Sequence, residues 1–231
     1  MRHEAATEAT EAATQATSGT TSRTTVRRRG VRPVDRFDER RDQLAASALH
    51  TLGELGYART SLREIAHNSP FSHGVVHYYF EDKLELVVHS VRLYKARCVT
   101  RYDDVVERST SADALLAAFA DRLVQTIRDE APMHRLWYDL RTQSMFEPRL
   151  REAVTLIDQT LEQMIWRVVS RYAELAGRPV SMGPASAYGM LDGLFQQALL
   201  AFVSGHDTAL ADLTDQVHAL MPMMLGPDSR A

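Results

Sequence analysis

The sequence predicts an all-α protein of about nine helices. Apolar residues recur three or four positions apart along most of the chain, which is the spacing of one face of an α-helix. The alternation of apolar and polar residues that marks a half-buried strand is not found in the sequence. With 231 residues and 45% hydrophobic composition, the chain is long enough for one or two domains with a buried core.

The first 35 residues are expected to form a disordered tail that ends in a basic arm. Residues 1–25 consist mostly of Ala, Thr, Glu and Ser, which cannot bury enough apolar surface to fold. Arg27, Arg28 and Arg29 follow them. The tail lacks the apolar stretch of a secretory signal, and the chain has no apolar run of about 18 residues, so we expect a cytoplasmic protein without a membrane span.

Three helices are predicted between about residues 38 and 80. The first carries an apolar stripe and ends at Gly56. The second begins at Ser61, in a capping-box pattern in which Ser61 and Glu64 bond each other's backbone amide. A proline interrupts this helix, and Ser72 is the expected N-cap of the third. Two short helices around a break of three or four residues are typical of a helix-turn-helix.

Six further helices are predicted in the rest of the chain. Their apolar stripes cover residues 84–107, 116–127, 132–146, 150–175, 184–203 and 210–224. The first of these stripes predicts one continuous helix. The helix at 184–203 is apolar on nearly every face, which predicts burial on most sides. The last stripe has the heptad spacing of a helix that pairs with a partner, and Gly189 and Gly193, four apart on the helix before it, permit close approach of another backbone. Two such helices from each subunit would make a four-helix dimer interface, although closing the chain's own core is the alternative.

Charge is distributed unevenly along the chain, although the net charge is only -3. Residues 23–101 hold 15 Arg and Lys against 9 Asp and Glu, whereas residues 102–231 hold 11 Arg against 18 Asp and Glu. A basic first part and an acidic remainder indicate a polyanion-binding module joined to a second unit. Chance clustering of solvated charges is the alternative.

Residues 65–83, IAHNSPFSHGVVHYYFEDK, resemble the signature of the TetR family of transcriptional regulators. The family pattern is roughly I-A-x-x-A-G-V-S-x-G-T-L-Y-x-Y-F-x-x-K, and the spacing fits without a gap. The chain departs from this pattern at Ser69, Pro70, Phe71, Val75 and His77. Residues 137–146 and 191–194 also resemble the second half of the BetI-like branch of the family.

The resemblance implies two domains and three partners. An N-terminal three-helix helix-turn-helix DNA-binding domain is expected at residues 36–83. A C-terminal helical ligand-binding and dimerisation domain is expected at residues 84–226, and the helix from 84 to about 107 links the two. The partners would be a double-stranded DNA operator, a second copy of the chain and a small-molecule effector.

The resemblance also implies a function. A member of this family would most often be a repressor that binds a palindromic operator as a dimer and is released by its effector. Because Pro70 and His77 depart from the pattern, the alternative is a ligand-binding or scaffold protein of the same fold that has lost specific DNA binding.

The expected DNA contacts surround the third helix. By the resemblance they fall on Thr60, Ser61, Ser72, His73, Gly74, Val75, His77, Tyr78, Tyr79 and Lys83, and the arm adds Arg27, Arg28 and Arg29. We expect His73 to contact a guanine edge, Val75 a thymine methyl group and Lys83 a phosphate. Tyr79 also suits a place in the core.

Candidates for an effector site are aromatic or charged residues of the second domain. They are Trp137, Arg141, Phe146, Trp166, Asp192 and Phe195. Such side chains suit a pocket but also a core, and Asp192 is expected either to pair with an arginine or to face a cationic ligand. The sequence has no catalytic motif, no metal-ligand spacing and a single cysteine, so it predicts no enzyme, metal or cofactor.

Overall fold

The computed structural model describes residues 33–227, which form nine α-helices and no strand. The helices are α1 Pro33–Arg59, α2 Leu62–His67, α3 His73–Tyr79, α4 Lys83–Cys98, α5 Asp103–Arg108, α6 Ala112–Ser144, α7 Pro148–Ala176, α8 Pro184–Val203 and α9 Ala209–Met223. The predicted all-α class is confirmed. None of these helices is long and apolar enough to cross a membrane. The predicted arm with Arg27, Arg28 and Arg29 lies outside the described residues.

The first helices begin where their local sequence signals predict. At the start of α2, the Glu64 amide donates to Ser61 Oγ at 3.2 Å, and the Ser61 amide donates to the Glu64 carboxylate at 2.7 Å. Ser72 caps α3 by accepting from the Val75 amide. α1 is longer than predicted because Gly56, with φ of 76°, kinks the helix without ending it.

The continuous helix predicted for residues 84–107 is wrong, because a turn at residues 99–102 separates α4 from α5. In this turn the Arg101 amide donates to the carbonyl of Cys98 at 3.0 Å, three residues back rather than four. Tyr102 and Val105 remain buried after the turn. The apolar spacing therefore continues without interruption across this turn, so the spacing alone does not reveal that the helix is broken there.

The two helices predicted at 116–127 and 132–146 form the single helix α6. Glu130 departs from helical geometry, with φ of −130° and ψ of 22°, two residues before Pro132. Proline has no amide hydrogen to donate to the preceding turn and its ring crowds that turn, so it bends the helix here. The predicted number of helices is therefore right, although two of the divisions between them are wrong.

The buried apolar side chains form one continuous cluster from Leu44 in α1 to Leu225 after α9. α1 packs against both α4 and α6, and α6 also packs against α7, α8 and α9. α6 is therefore the helix that connects the first part of the chain with the rest of the bundle.

α1 approaches α6 very closely at the kink of α6. A Cβ added to Gly53 would lie 2.2 Å from Met133 Cε and 3.2 Å from Pro132 Cβ, so no larger residue fits without movement. One turn further on, the Tyr57 amide donates to Asp139 Oδ2 at 2.7 Å. The end of α1 is thus held against α6 by close packing and by a hydrogen bond.

The burial of the last two helices differs from the prediction. α8 exposes an apolar face, on which Met190 is 48% and Leu200 is 65% exposed and Val203 is also exposed. The heptad stripe of α9 faces inward instead, because Leu213 and Val217 are buried and α9 packs on α6 and α8. Among the described residues, the apolar surface left for a partner is therefore on α8 rather than on the α9 stripe.

Candidate nucleic-acid interface and buried cavity

α3 packs on the core with one face and presents polar side chains to solvent with the other. Val76 is fully buried, whereas Tyr78 is 73% exposed. The exposed residues, which we call the α3 surface, are Ser72, His73, Gly74, His77 and Tyr78. No atom lies within 4 Å of a Cβ added to Gly74, so the backbone is open to close approach there. Five of the residues predicted to contact DNA thus share one exposed surface.

His73 and His77 contact each other on this surface. Their Nε2 atoms are 3.2 Å apart and their ring centroids 4.4 Å apart. A hydrogen bond between two Nε2 atoms requires that one of them carries no proton, so the pair cannot be doubly charged while the contact lasts. The Nδ1 atom of each ring remains available for another partner.

Three other predicted DNA contacts lie partly or wholly in the core. Thr60 is buried and its hydroxyl donates to the carbonyl of Gly56 at 2.7 Å, so this hydroxyl proton is used within the chain, and a DNA contact at Thr60 stays a prediction. Val75 and Tyr79 are half-buried, and the Tyr79 ring lies 4.8 Å from that of Phe37. Only their outer edges can reach a DNA groove.

Lys83 and Ser61 make internal contacts that leave part of their hydrogen-bonding capacity free. Lys83 Nζ donates to the carbonyl of Tyr57 at 2.9 Å and lies 4.0 Å from the centroid of that ring. Two of its N–H groups remain for a phosphate. Ser61 is exposed, and the capping box uses its oxygen as an acceptor but not its hydroxyl proton. The phosphate contacts of both residues stay predictions.

A buried cavity of about 60 Å³ lies between α4, α6, α7 and α8. Three of the effector-site candidates, Trp137, Asp192 and Phe195, line it. Arg141 lies behind Asp192 and donates to its carboxylate at 2.5 Å. Asp192 is therefore paired with an arginine, which is one of the two alternatives that the sequence leaves open.

The other two effector-site candidates, Phe146 and Trp166, lie outside this cavity and stay predictions. Phe146 is 80% exposed in the turn between α6 and α7, and Trp166 packs half-buried against the core on another side of α7. Neither residue lines the cavity. Phe146 and Trp166 are near other aromatic residues in the sequence, but this proximity does not indicate the direction in which their side chains point.

Several polar residues of the cavity are missed by the sequence reasoning. Lys95 is 3% exposed, and its ammonium lies 4.6 Å from the centroid of the Trp137 ring. Burial lowers the pKa of Lys95 to about 8. His134 is buried across from it, and burial lowers the pKa of this imidazole as well, so it is neutral at pH 7. Cys98 and Arg101 complete the polar part of the wall.

The remaining charges near the cavity are paired. Arg101 donates to Glu130 at 2.6 Å, and the Tyr94 hydroxyl donates to the same carboxylate. The Tyr138 hydroxyl donates to Asp192 at 2.9 Å. Burial and the Asp192 carboxylate raise the pKa of Tyr138, so it remains a donor throughout the usual pH range.

Comparison with known proteins supports the assignment suggested by the helix-turn-helix. Residues 44–89 match the model of the bacterial regulatory proteins of the tetR family. The chain is 27% identical over 165 residues to the HTH-type transcriptional regulator BetI of Burkholderia lata, covering 70% of this chain and 83% of that protein. BetI of Burkholderia mallei is 28% identical over 169 residues, with the same two shares. These relatives are regulators, in agreement with the prediction that the chain is not an enzyme.

Solved structures at lower identity share the fold. A TetR transcription regulator from Haloarcula marismortui superposes with a TM-score of 0.66 at 18% identity, covering 82% of this chain and 100% of that chain. A transcriptional regulator from Saccharomonospora viridis in complex with choline has a TM-score of 0.66 at 16% identity, with shares of 81% and 98%. Together with the signature of residues 65–83 and the exposed α3 surface, these matches assign residues 44–89 to the DNA-binding helix-turn-helix of the TetR family, in a chain that has the fold of TetR transcription regulators.

Proposed function

We propose that the chain is a ligand-responsive repressor, which binds a palindromic operator as a homodimer and is released by a small-molecule effector bound in the cavity. The observation that carries this proposal is the close contact at Gly53. There α6, which forms a wall of the cavity, meets α1, which leads into α2 and α3.

The α3 surface supports binding in the major groove of DNA. His73 offers a ring nitrogen to a base edge, while Tyr78 and the hydroxyl of Ser72 can contact sugar and phosphate. Arg59 and Arg63 are exposed beside it and add positive charge that attracts the phosphate backbone. A protein with this function acts in the cytoplasm, where bacterial DNA lies.

The exposed apolar face of α8 supports a homodimer. Exposed apolar patches of this kind mark protein interfaces, and a two-fold dimer presents two recognition helices to the two halves of a palindrome. Gly189 and Gly193 lie on α8, and among the described residues no atom outside their own stretch of helix lies within 4 Å of an added Cβ, which leaves room for a partner helix to approach.

The cavity supports control by a small molecule. Two proteins of similar fold hold ligands, choline in the regulator from Saccharomonospora viridis and stearoyl-CoA in FadR from Bacillus subtilis. A ligand shifts a conformational equilibrium only by its difference in affinity for the two states. In this chain, a ligand that moves Trp137 or His134 also moves the kinked segment of α6 that packs on Gly53.

The test is selection of bound fragments from genomic DNA with the full chain, followed by sedimentation of the complex. We expect one or a few enriched sites with inverted-repeat symmetry, bound by two protomers or a multiple of two. A Tyr78→Ala variant should lose affinity for these sites, and a His206→Ala variant, altered in the exposed loop before α9, should keep it.

Enrichment no greater than that of bulk DNA would contradict the proposal and favour a ligand-binding protein without an operator. A symmetric site bound by a single protomer would contradict the dimer. Small molecules that lower the affinity for the selected site would then identify the effector.

A further inference from the structure

The cavity lining holds hydrogen-bond donors that lack an acceptor among the described residues, whereas its one carboxylate, Asp192, already accepts from Arg141 and Tyr138. Trp137 is 2% exposed, and its indole Nε1–H has no acceptor among the described residues. The ammonium of Lys95 carries three N–H groups, and no described carboxylate forms an ion pair with it. A buried donor that lacks an acceptor costs about 1–3 kcal/mol, and more when it is charged, so these groups favour a partner that accepts hydrogen bonds.

The carboxylates nearest to Lys95 are already engaged. Glu130 accepts from Arg101 and Tyr94, and Asp192 accepts from Arg141 and Tyr138. Each carboxylate thus has an arginine of its own. Lys95 is the cation of this cluster that has a ring rather than a carboxylate as its neighbour.

The position of Lys95 also disfavours a cationic ligand. A quaternary ammonium group binds over the face of an aromatic ring, and Trp137 is the largest ring in the cavity. The ammonium of Lys95 already lies 4.6 Å from the centroid of that ring. A second cation would meet both an occupied ring and a like charge.

The geometry points to a small organic anion as the effector, with its carboxylate bound by Lys95 Nζ and, once the indole turns toward the cavity, by Trp137 Nε1, and with its apolar part against Met164, Leu191 and Phe195. This inference rests on the proposed function, because it names the chemical class of the effector that acts at the same cavity.

The size of the cavity limits the ligand. A cavity of about 60 Å³ holds roughly four to six water-sized groups, at about 10–15 Å³ for each. Propanoate and butanoate have about this number of non-hydrogen atoms. A longer carboxylate would extend past Tyr138, Tyr188 and Asp192 into the neighbouring groove that these three residues also line.

The experiment is isothermal titration of the full-length chain, without DNA, at pH 7 and constant salt. The probes are butanoate, butanamide as a neutral analogue of the same size, and choline as a cation. We expect butanoate to bind at least tenfold more tightly than butanamide and choline to give no measurable heat. Choline binding as tightly as butanoate, or no binding of any short carboxylate, would overturn the inference.

Variants test the two donors. Lys95→Met keeps the length of the side chain and removes the charge, and it should weaken butanoate binding at least tenfold. Trp137→Phe removes the indole N–H and should weaken binding severalfold. The matched control is Arg135→Met, which removes one charge from the exposed side of α6 and should leave binding unchanged. Retention of butanoate affinity in Lys95→Met, with the fold intact by circular dichroism, would also overturn the inference.

This test is separate from the test of the proposed function. Failure of carboxylates to bind overturns the assignment of the effector while operator binding is still measured in its own assay. Failure to bind DNA overturns the proposed function while the titration still shows whether the cavity takes an anion.

Discussion

The two lysines of this arginine-rich chain occupy similar surroundings. Lys83 lies over the ring of Tyr57 at 4.0 Å and Lys95 over the ring of Trp137 at 4.6 Å. Lys83 is half-buried and donates to a carbonyl, whereas Lys95 is buried without an acceptor among the described residues. The cation–π contact offsets only part of the loss of hydration, as the lowered pKa of Lys95 indicates.

We predict that Lys95→Met stabilises the ligand-free protein at pH 7. The folded-state pKa of about 8 lies below the unfolded-state value of 10.5, so the folded state binds the lysine proton more weakly. The difference corresponds to about 3 kcal/mol of unfolding free energy at neutral pH, which the variant should recover.

This gain should depend on pH in a defined direction. Above pH 8 the folded wild type releases the proton, so the advantage of Lys95→Met should shrink between pH 8 and pH 10.5. Urea unfolding of both proteins at several pH values measures this difference. Other ionisable groups near residue 95 are present in both proteins, so their contributions largely cancel in the difference in unfolding free energy. They are Cys98, Glu130 and His134. A destabilised variant at pH 7 would contradict the argument.

The α3 surface gives a second prediction at the residue scale. His73→Ala should weaken binding to the selected operator by about 1–3 kcal/mol, as expected for one lost base contact, and should weaken nonspecific binding much less. Fluorescence anisotropy with operator and with scrambled duplexes separates the two effects. An equal loss on both duplexes would assign His73 to the phosphate backbone instead.

The position of Lys95 in the sequence contains a signal of its burial. Lys95 follows the buried Val91 by four residues and precedes the buried Cys98 by three, so it occupies an apolar position of α4. A charged residue on an apolar stripe predicts a buried charge. Thr60, by contrast, is buried by the kink at Gly56, which no local pattern indicates.

At the scale of the element, helix ends that depend on local hydrogen bonds could be predicted from the sequence. Helix breaks and side-chain directions that depend on packing could not. The caps at Ser61 and Ser72 depend on hydrogen bonds within four residues, and both are present. At the break of residues 99–102, Arg101 donates to Glu130 in α6, and a pattern of apolar residues contains no information on such a long-range contact. For the same reason the direction of Phe146 and Trp166 could not be predicted.

The closeness of α1 and α6 gives a prediction for Gly53→Ala. At an ordinary helical position this change would stabilise the protein by about 1 kcal/mol. Here the end of the flexible Met133 side chain can move aside, but the Pro132 ring, whose Cβ would lie 3.2 Å from the new Cβ, is fixed to the backbone, so we expect a lower melting temperature. We also expect a smaller effect of the effector on operator affinity, because the variant separates the two helices.

The control for this prediction is Glu54→Ala. Glu54 is the next residue of α1, and its exposed pair with His50 at 3.6 Å contributes little to stability. Calorimetry and operator titration with and without effector measure both effects. A Gly53→Ala protein more stable than the wild type would show that the contact tolerates a methyl group.

At the scale of the whole molecule, association depends on the exposed face of α8. Glutamates at positions 190 and 200, in a Met190→Glu and Leu200→Glu double variant, should place like charges across a two-fold interface. We expect a folded monomer at micromolar concentration and at least tenfold weaker binding to a two-half-site operator, by analytical ultracentrifugation and gel shift.

The matched control is Phe146→Glu, which adds a charge at an exposed apolar residue in the turn between α6 and α7. It should remain a dimer with unchanged operator affinity. If the double variant still sediments as a dimer, the dimer interface lies on a surface other than the exposed face of α8.

Cys98 is the single thiol of the chain, and it lies in the cavity wall with its Sγ donating to the carbonyl of Tyr94 at 3.4 Å. Because it is buried, a thiol reagent can modify it only when the bundle opens around α4. The rate of Cys98 modification would therefore measure how often the bundle opens. The measurement needs neither an added label nor a known operator. A compound that occupies the cavity should slow the reaction, so the native cysteine offers a simple reporter with which to screen for ligands.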